Sequence, residues 1–260
     1  MWGLESLSYA DAAKQVKAAG YDGMEIAARD RKYNELWKAM RDNDLELVLM
    51  AFGGSANFAE HKPKFKDDLL ELASKKPLFI NAHTGKDFFT YEQNAELIQV
   101  AADVQKQTGV RILHETHRGR FSYSAPAIQH YLLNIPELRL TGDFSHWVNV
   151  AESYLGDQVG NVSRALDRTD HIHCRGGQPE APQVSDPRAP EWKNALETHA
   201  KWWDTIRQRH LSTNAPQLTI TCEFGPAPGY LPTLPYTNQP VVSQWDVNKF
   251  MMEYLKKRWA

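Results

Sequence analysis

VRILHETHRGRFSYSAPAIQHYLLNIPELRLTGDFSH, residues 110–146, is the stretch on which the fold turns. Val110–Glu115 is a short apolar run that closes on His114-Glu115, and Leu138–Asp143 is a second that closes on an acid. Between them Ala125–Leu133 spaces its apolar residues as a helix does. Strand, helix and strand in so few residues form one βαβ unit with a carboxylate at the end of each strand.

Working outward, the same alternation fills the chain. Strand-like runs fall at Trp2–Glu5, Gly23–Ala27, Leu45–Phe52, Leu78–His83, His171–Cys174 and Leu218–Glu223, besides the two already quoted. Helical spacing covers Ala10–Ala19, Lys32–Asp42, Lys64–Lys75, Tyr91–Thr108, Val150–Leu166, Trp192–His210 and Val247–Arg258. Ser8 and Thr90 are placed to start helices, and Gly20 and Gly109 to end them. Eight runs of each kind in 260 residues predict an α/β chain folded as one (β/α)₈ TIM barrel, residues 1–260. A doubly wound open sheet is the rival, but the Gly-rich first turn it normally carries is absent. The first run is the shortest, which allows a barrel curtailed at its N-terminus. Phe224–Pro240 holds five of the fourteen prolines and is expected to be a stiff loop over the mouth.

Composition narrows the function. With 42% hydrophobic residues the chain can build a sizeable core, and no apolar window is long enough to span a membrane. A formal net charge of −2 without a basic block argues against nucleic acid as a partner. Two cysteines, Cys174 and Cys222, cannot make a disulfide framework, and Met1–Ser6 lacks an export signal. A cytoplasmic enzyme is the expectation.

Catalytic groups of such barrels sit at the C-terminal ends of the strands. Residues two apart on a strand share a face, so four successive strands aim Glu115, Asp143, His173 and Glu223 at one mouth. Three ionised carboxylates repel one another strongly unless a cation joins them. Three acids and one imidazole suit Mn²⁺ best, with Mg²⁺, Co²⁺ and Zn²⁺ as alternatives. His171 lies one layer deeper, and His114 should face the helices as a structural group. The cysteines read as small buried hydrophobes. Around the mouth, His83, Asn81, Arg118, Arg120 and Arg175 are candidates to bind substrate, the arginines by clamping a carboxylate or phosphate. Trp147 and Phe224 adjoin these groups and offer flat faces to a substrate.

At these residues the chain resembles the xylose isomerase-like barrel superfamily, which includes ketose 3-epimerases, sugar isomerases, inosose dehydratase and endonuclease IV. The matching pieces are Glu115 in HETHRGR, Asp143 and His146 in DFSHW, His173 in HIHCRGG and Glu223 in CEFGP. The resemblance implies that Glu115, Asp143, His173 and Glu223 hold one divalent ion, that the two Glu move protons, and that His146 hydrogen-bonds substrate. Arg175, two residues past His173, stands in for an arginine that ketose 3-epimerases carry farther along.

A carbon-bound proton beside a carbonyl becomes removable when the developing enediolate is stabilised by a cation. Glu115 and Glu223 are the expected acid–base pair. Return of the proton gives epimerisation or isomerisation of a sugar, whereas loss of a β-hydroxyl makes the enzyme a keto-sugar or inosose dehydratase. An AP endonuclease of the endonuclease IV type is the alternative of another class. It needs three zinc ions and a histidine where this chain has Phe52-Gly53-Gly54. Small sugars or keto-sugars are therefore the expected partners, and a homo-oligomer is a further expectation because relatives often pair.

Overall fold

The structure, a computed structural model, describes residues 2–27 and 30–260. Among these are seven strands: β1 (Gly23–Ile26), β2 (Glu46–Phe52), β3 (Phe79–His83), β4 (Ile112–Glu115), β5 (Leu140–Gly142), β6 (Thr169–His173) and β7 (Thr219–Thr221). They pair in parallel in the order of the chain, β1 to β7, as the wall of a β/α barrel does. The helices are α1 (Tyr9–Ala18), α2 (Tyr33–Asp42), α3 (Phe58–Ala73), α4 (Tyr91–Thr108), α5 (Gln129–Asn134), α6 (Ser145–Val150), α7 (Val159–Leu166), α8 (Lys193–Ser212) and α9 (Gln244–Arg258). The chain is a single TIM barrel domain whose sheet is nearly closed.

The expected first strand, Trp2–Glu5, is instead a turn. Gly3 takes φ +83° and its amide donates to Glu5 Oε2 at 2.9 Å, while the Leu7 amide reaches the Leu4 carbonyl at 3.0 Å. Four residues with a glycine second offer little to a pleated ladder. Among the described residues no strand pairing therefore joins β7 to β1.

Three helices also differ from expectation, and one of them, α5, starts at Gln129 rather than Ala125 because residues 125–128 form a turn. Of the expected helix Val150–Leu166 only α7, from Val159, forms; a separate helix α6 ends at Val150, and Glu152 and Leu155 between them adopt positive φ off the helical path. The α3 helix starts well before Lys64, where Asn57 accepts from the Ala59 amide and Pro63 is carried inside the helix. The punctuation of α4 follows the sequence: Thr90 and Gln93 form a reciprocal capping box, and Gly109 ends the helix at φ 74°.

Strand alternation sorts the side chains. Leu47, Leu49, Ile80, Ile112, Leu140 and Ile172 are buried towards the helices. Inside the barrel, Val48, Phe79 and Leu113 form a small apolar plug. Above it lie Glu25, Asn81 and His171, and above those the polar strand ends.

Candidate metal centre

Glu115 is the last residue of β4, Asp143 follows β5, His173 ends β6 and Glu223 lies just beyond β7. One ligand atom from each lies within 4.8 Å of every other. His173 Nδ1 is 2.9 Å from Glu223 Oε2 and 3.8 Å from Glu115 Oε1. Parallel pairing produces the convergence: the β6–β7 register sets His173 beside Thr221, two residues before Glu223, and the β4–β5 register sets Glu115 beside Thr141, two before Asp143.

The surroundings orient these groups. Glu115 Oε2 accepts from Asn81 Nδ2 at 2.7 Å and lies 2.8 Å from His83 Nε2. Asp143 Oδ1 accepts from the Ser145 amide at 3.1 Å and from its hydroxyl. Asp143 Oδ2 is paired with Arg175 Nη2 and is 3.5 Å from His146 Nε2. Arg175 is fully buried, 3.5 Å from Glu223, with Tyr230 over its guanidinium. His146 accepts from Arg175 at 3.0 Å, and its Nδ1 has no hydrogen-bond partner among the described residues.

Electrostatics favours a cation here. Burial pushes Asp143 up to about 6; Arg175 opposes this, and the charges of Glu223 and Glu115 add to it. Burial alone would lower His173, yet Glu223, Glu25 and Glu115 together hold it well above the usual imidazole range. An imidazolium and a guanidinium thus offset the acids. A divalent ion supplies the same charge once it displaces the Nδ1 proton. Glu115 Oε1 is buried without a hydrogen-bond partner among the described residues, and it faces the His173–Glu223 pair, itself buried and 2.9 Å apart. An unpartnered carboxylate oxygen in so oxygen-rich a set fits a divalent ion.

The remaining sequence candidates distribute around this centre. His83 faces Glu115, and the amide nitrogen of Asn81 is shared by Glu115 and Glu25, the latter at 2.8 Å. Arg118 donates to Asn149 Oδ1 at 3.0 Å, and Arg120 donates to the Gly85 carbonyl at 3.3 Å. Trp147 and Phe224 are buried, and the Trp147 ring nitrogen donates to the Ser122 carbonyl at 2.8 Å. His171 is held by Thr219 and Glu25, and His114 by Thr84 on the outer face, as their positions along the strands predict.

Two residues of the site escape sequence reasoning. Glu25 of β1 accepts from His173 Nε2 at 2.9 Å, with His171 Nε2 at 3.3 Å. The signal for it was present: Glu25 is the one polar side chain in an otherwise apolar strand. Both imidazoles outweigh the effect of its burial and hold its carboxyl well below the ordinary range. His117 is the other. Its ring lies 4.6 Å from that of His83 and 4.0 Å from that of His146, and burial lowers it to about 4. With His83 and Glu115 it forms a second group of metal-ligand geometry. A cavity of about 1360 Å³ opens over these side chains, lined by Phe52, His83, His117, Arg120, Arg175 and Tyr230. It continues down the unpaired side between β1 and β7.

A sequence model described as xylose isomerase-like TIM barrel matches residues 13–223. Among solved structures, the D-allulose 3-epimerase from Methylomonas sp. superposes with a TM-score of 0.63 at 18% identity, covering 99% of this chain and 94% of that one. The 3-keto-D-glucoside 4-epimerase YcjR from E. coli gives 0.62 at 14% identity, with 96% and 94% covered. The probable 3-DHS dehydratase AsbF from Bacillus anthracis gives 0.60 at 18% identity, with 97% and 94% covered. At these identities the likeness is one of fold. No curated protein matches the sequence.

Proposed function

The chain belongs to the xylose isomerase-like TIM barrel family, and from that premise we propose a divalent-metal-dependent isomerase or epimerase of a small sugar. The observation that carries this reading is the convergence of Glu115, Asp143, His173 and Glu223 within 4.8 Å at the mouth of the barrel. These four would hold the ion, Mn²⁺ being the first candidate for so oxygen-rich a set. When bound, the ion supplies Lewis-acid stabilisation of negative charge on substrate oxygens.

Glu115 and Glu223 move the proton. Burial alone would raise both, but the histidines His83 and His173 outweigh it at Glu115, and His173 and Arg175 outweigh it at Glu223. Both carboxylates are therefore ionised at neutral pH and ready to accept a proton from carbon. Glu115 is held by Asn81 and His83 through Oε2, which fixes its carboxylate beside His173. Glu223 flanks His173 from the neighbouring strand and reaches the cavity. Two bases at separate places allow removal at one position and return at another, through an enediolate. His146, His83 and the unpartnered Nη1 of Arg175 would bind substrate hydroxyls or a carboxylate. Loss of a β-hydroxyl from a keto-sugar or inosose begins with the same proton removal, so a dehydratase is the competing outcome.

The test is incubation of the Mn²⁺-loaded protein with a panel of ketoses, keto-sugars and inososes in D₂O. Deuterium entering beside the carbonyl of one compound supports the reading, and the product then separates isomerisation or epimerisation from loss of water. Absence of exchange across the panel, with the metal demonstrably bound, would reject it.

A further inference from the structure

Glu25 lies in the interior of the barrel, on β1, far along the chain from every ligand it serves. One oxygen, Oε2, takes His173 Nε2 at 2.9 Å and His171 Nε2 at 3.3 Å. The other, Oε1, accepts from Asn81 Nδ2 at 2.8 Å, and the same amide nitrogen donates to Glu115 Oε2 at 2.7 Å. His171 is itself held from the far side, its Nδ1 2.8 Å from Thr219 Oγ1. The carboxylate thus backs two of the four metal-ligating side chains, one directly and one through Asn81.

An imidazole has two nitrogens, and the partner of one decides what the other can do. A carboxylate accepts only, so the hydrogen at 2.9 Å belongs to His173 Nε2. In the neutral ring this leaves the lone pair on Nδ1, the nitrogen that faces Glu115 and Glu223. Asn81 acts alongside: by donating to both Glu25 and Glu115 it sets how far Glu115 Oε2 stands from the strand of Glu25.

We propose that Glu25 is a positioning residue of the metal centre, fixing the His173 tautomer and ring plane and, through Asn81, the seat of Glu115. The inference rests on the metal centre proposed above and extends it to a residue that touches neither ion nor substrate. Carboxylates behind a ligating histidine commonly contribute about 10- to 100-fold in metal affinity. Glu25 has a second task. Because β7 and β1 are not paired among the described residues, its bonds to β3 and β6 tie that end of the sheet to the ligand strands from within.

Glu25→Gln retains the shape and one acceptor but loses the charge, and Glu25→Asp keeps the charge on a shorter arm. Mn²⁺ titration by calorimetry should show affinity in Glu25→Gln weakened about 10- to 100-fold, with partial recovery in Glu25→Asp. The melting temperature of the metal-free proteins reports separately on the structural contribution. An Mn²⁺ affinity in a folded Glu25→Gln within threefold of wild type would overturn the proposal, whatever the melting temperature does. Should the variants fail to fold, ¹⁵N NMR of the wild type loaded with Zn²⁺ decides: hydrogen on His173 Nε2 supports the role, and hydrogen on Nδ1 refutes it. Failure of the wild type to bind any divalent ion in the same titration would remove the centre itself and this role with it, a result distinct from loss in the variants alone.

Discussion

The four proposed ligands differ in how they meet solvent: the Glu223 side chain is 14% exposed, and those of Glu115, Asp143 and His173 are at 0%. That asymmetry fits Glu223 to exchange protons with substrate and solvent. Glu223→Gln is expected to lower the rate of deuterium incorporation about 10²- to 10⁴-fold on a confirmed substrate. Unchanged exchange in that variant, with metal bound, ends its assignment as acid–base catalyst. All four proposed ligands were legible in the sequence, because each lies at or near the end of a strand-like run and strand periodicity places each on the inner face. Glu25 and His117 were not singled out. One sits in mid-strand and the other in a loop, and only folding brings them to residues more than thirty positions away or to neighbouring rings.

At the scale of elements, the segment after β6 and the start of α6 are packed backbone to backbone. A Cβ on Gly177 would lie 2.8 Å from both the Ser145 carbonyl oxygen and Ser145 Cβ. Ser145 holds Asp143 through its amide and hydroxyl. Gly177→Ala should therefore cost about 1–3 kcal/mol of stability by overpacking, and it should weaken Mn²⁺ binding by displacing Asp143. Thermal melts with and without Mn²⁺ check both effects. Gly156→Ala, where nothing lies within 4 Å of the added atom, serves as the control that should leave the metal-induced shift intact. Helix ends with side-chain caps, such as Ser8 and Thr90, could be read from the residues. The break between α6 and α7 could not, since Glu152 and Leu155 carry no chemical mark of positive φ.

For the whole molecule, stability should depend on the ion and on pH. An ion that binds only the folded barrel stabilises it by about 2.7 kcal/mol at a free concentration of 100 Kd. A chelator should accordingly lower the melting temperature, and re-addition of Mn²⁺ should restore it; a melting temperature insensitive to both would contradict a bound ion. The pH dependence comes in part from His199 of α8, buried with Nε2 accepting from the Gly177 amide at 3.3 Å and Nδ1 donating to the Ala195 carbonyl at 2.9 Å. Burial lowers it to about 4. The unfolded chain then binds more protons than the folded one between about 6.5 and 4, so stability falls with pH across that window. The contribution is complete above about 6.5 and amounts to something on the order of 3 kcal/mol. Denaturant melts from pH 7 to 4 should show a shallower loss in His199→Gln than in wild type. Parallel slopes would mean that His199 takes up its proton without unfolding.

No helix among the described residues is long and apolar enough to cross a membrane. The amino-acid order by itself determined the barrel, its element order and the identity of the converging acids, because strand and helix periodicities are local and catalytic groups of this architecture lie at strand ends. Tertiary structure alone decided that Trp2–Glu5 forms a turn and that the sheet is unpaired between β7 and β1 among the described residues, that Arg175 is buried against Asp143, and that Glu25 meets His173 from across the barrel. These depend on which side chains meet through the interior and on how burial balances charge there. Neither quantity has a counterpart in the spacing of residues along the chain.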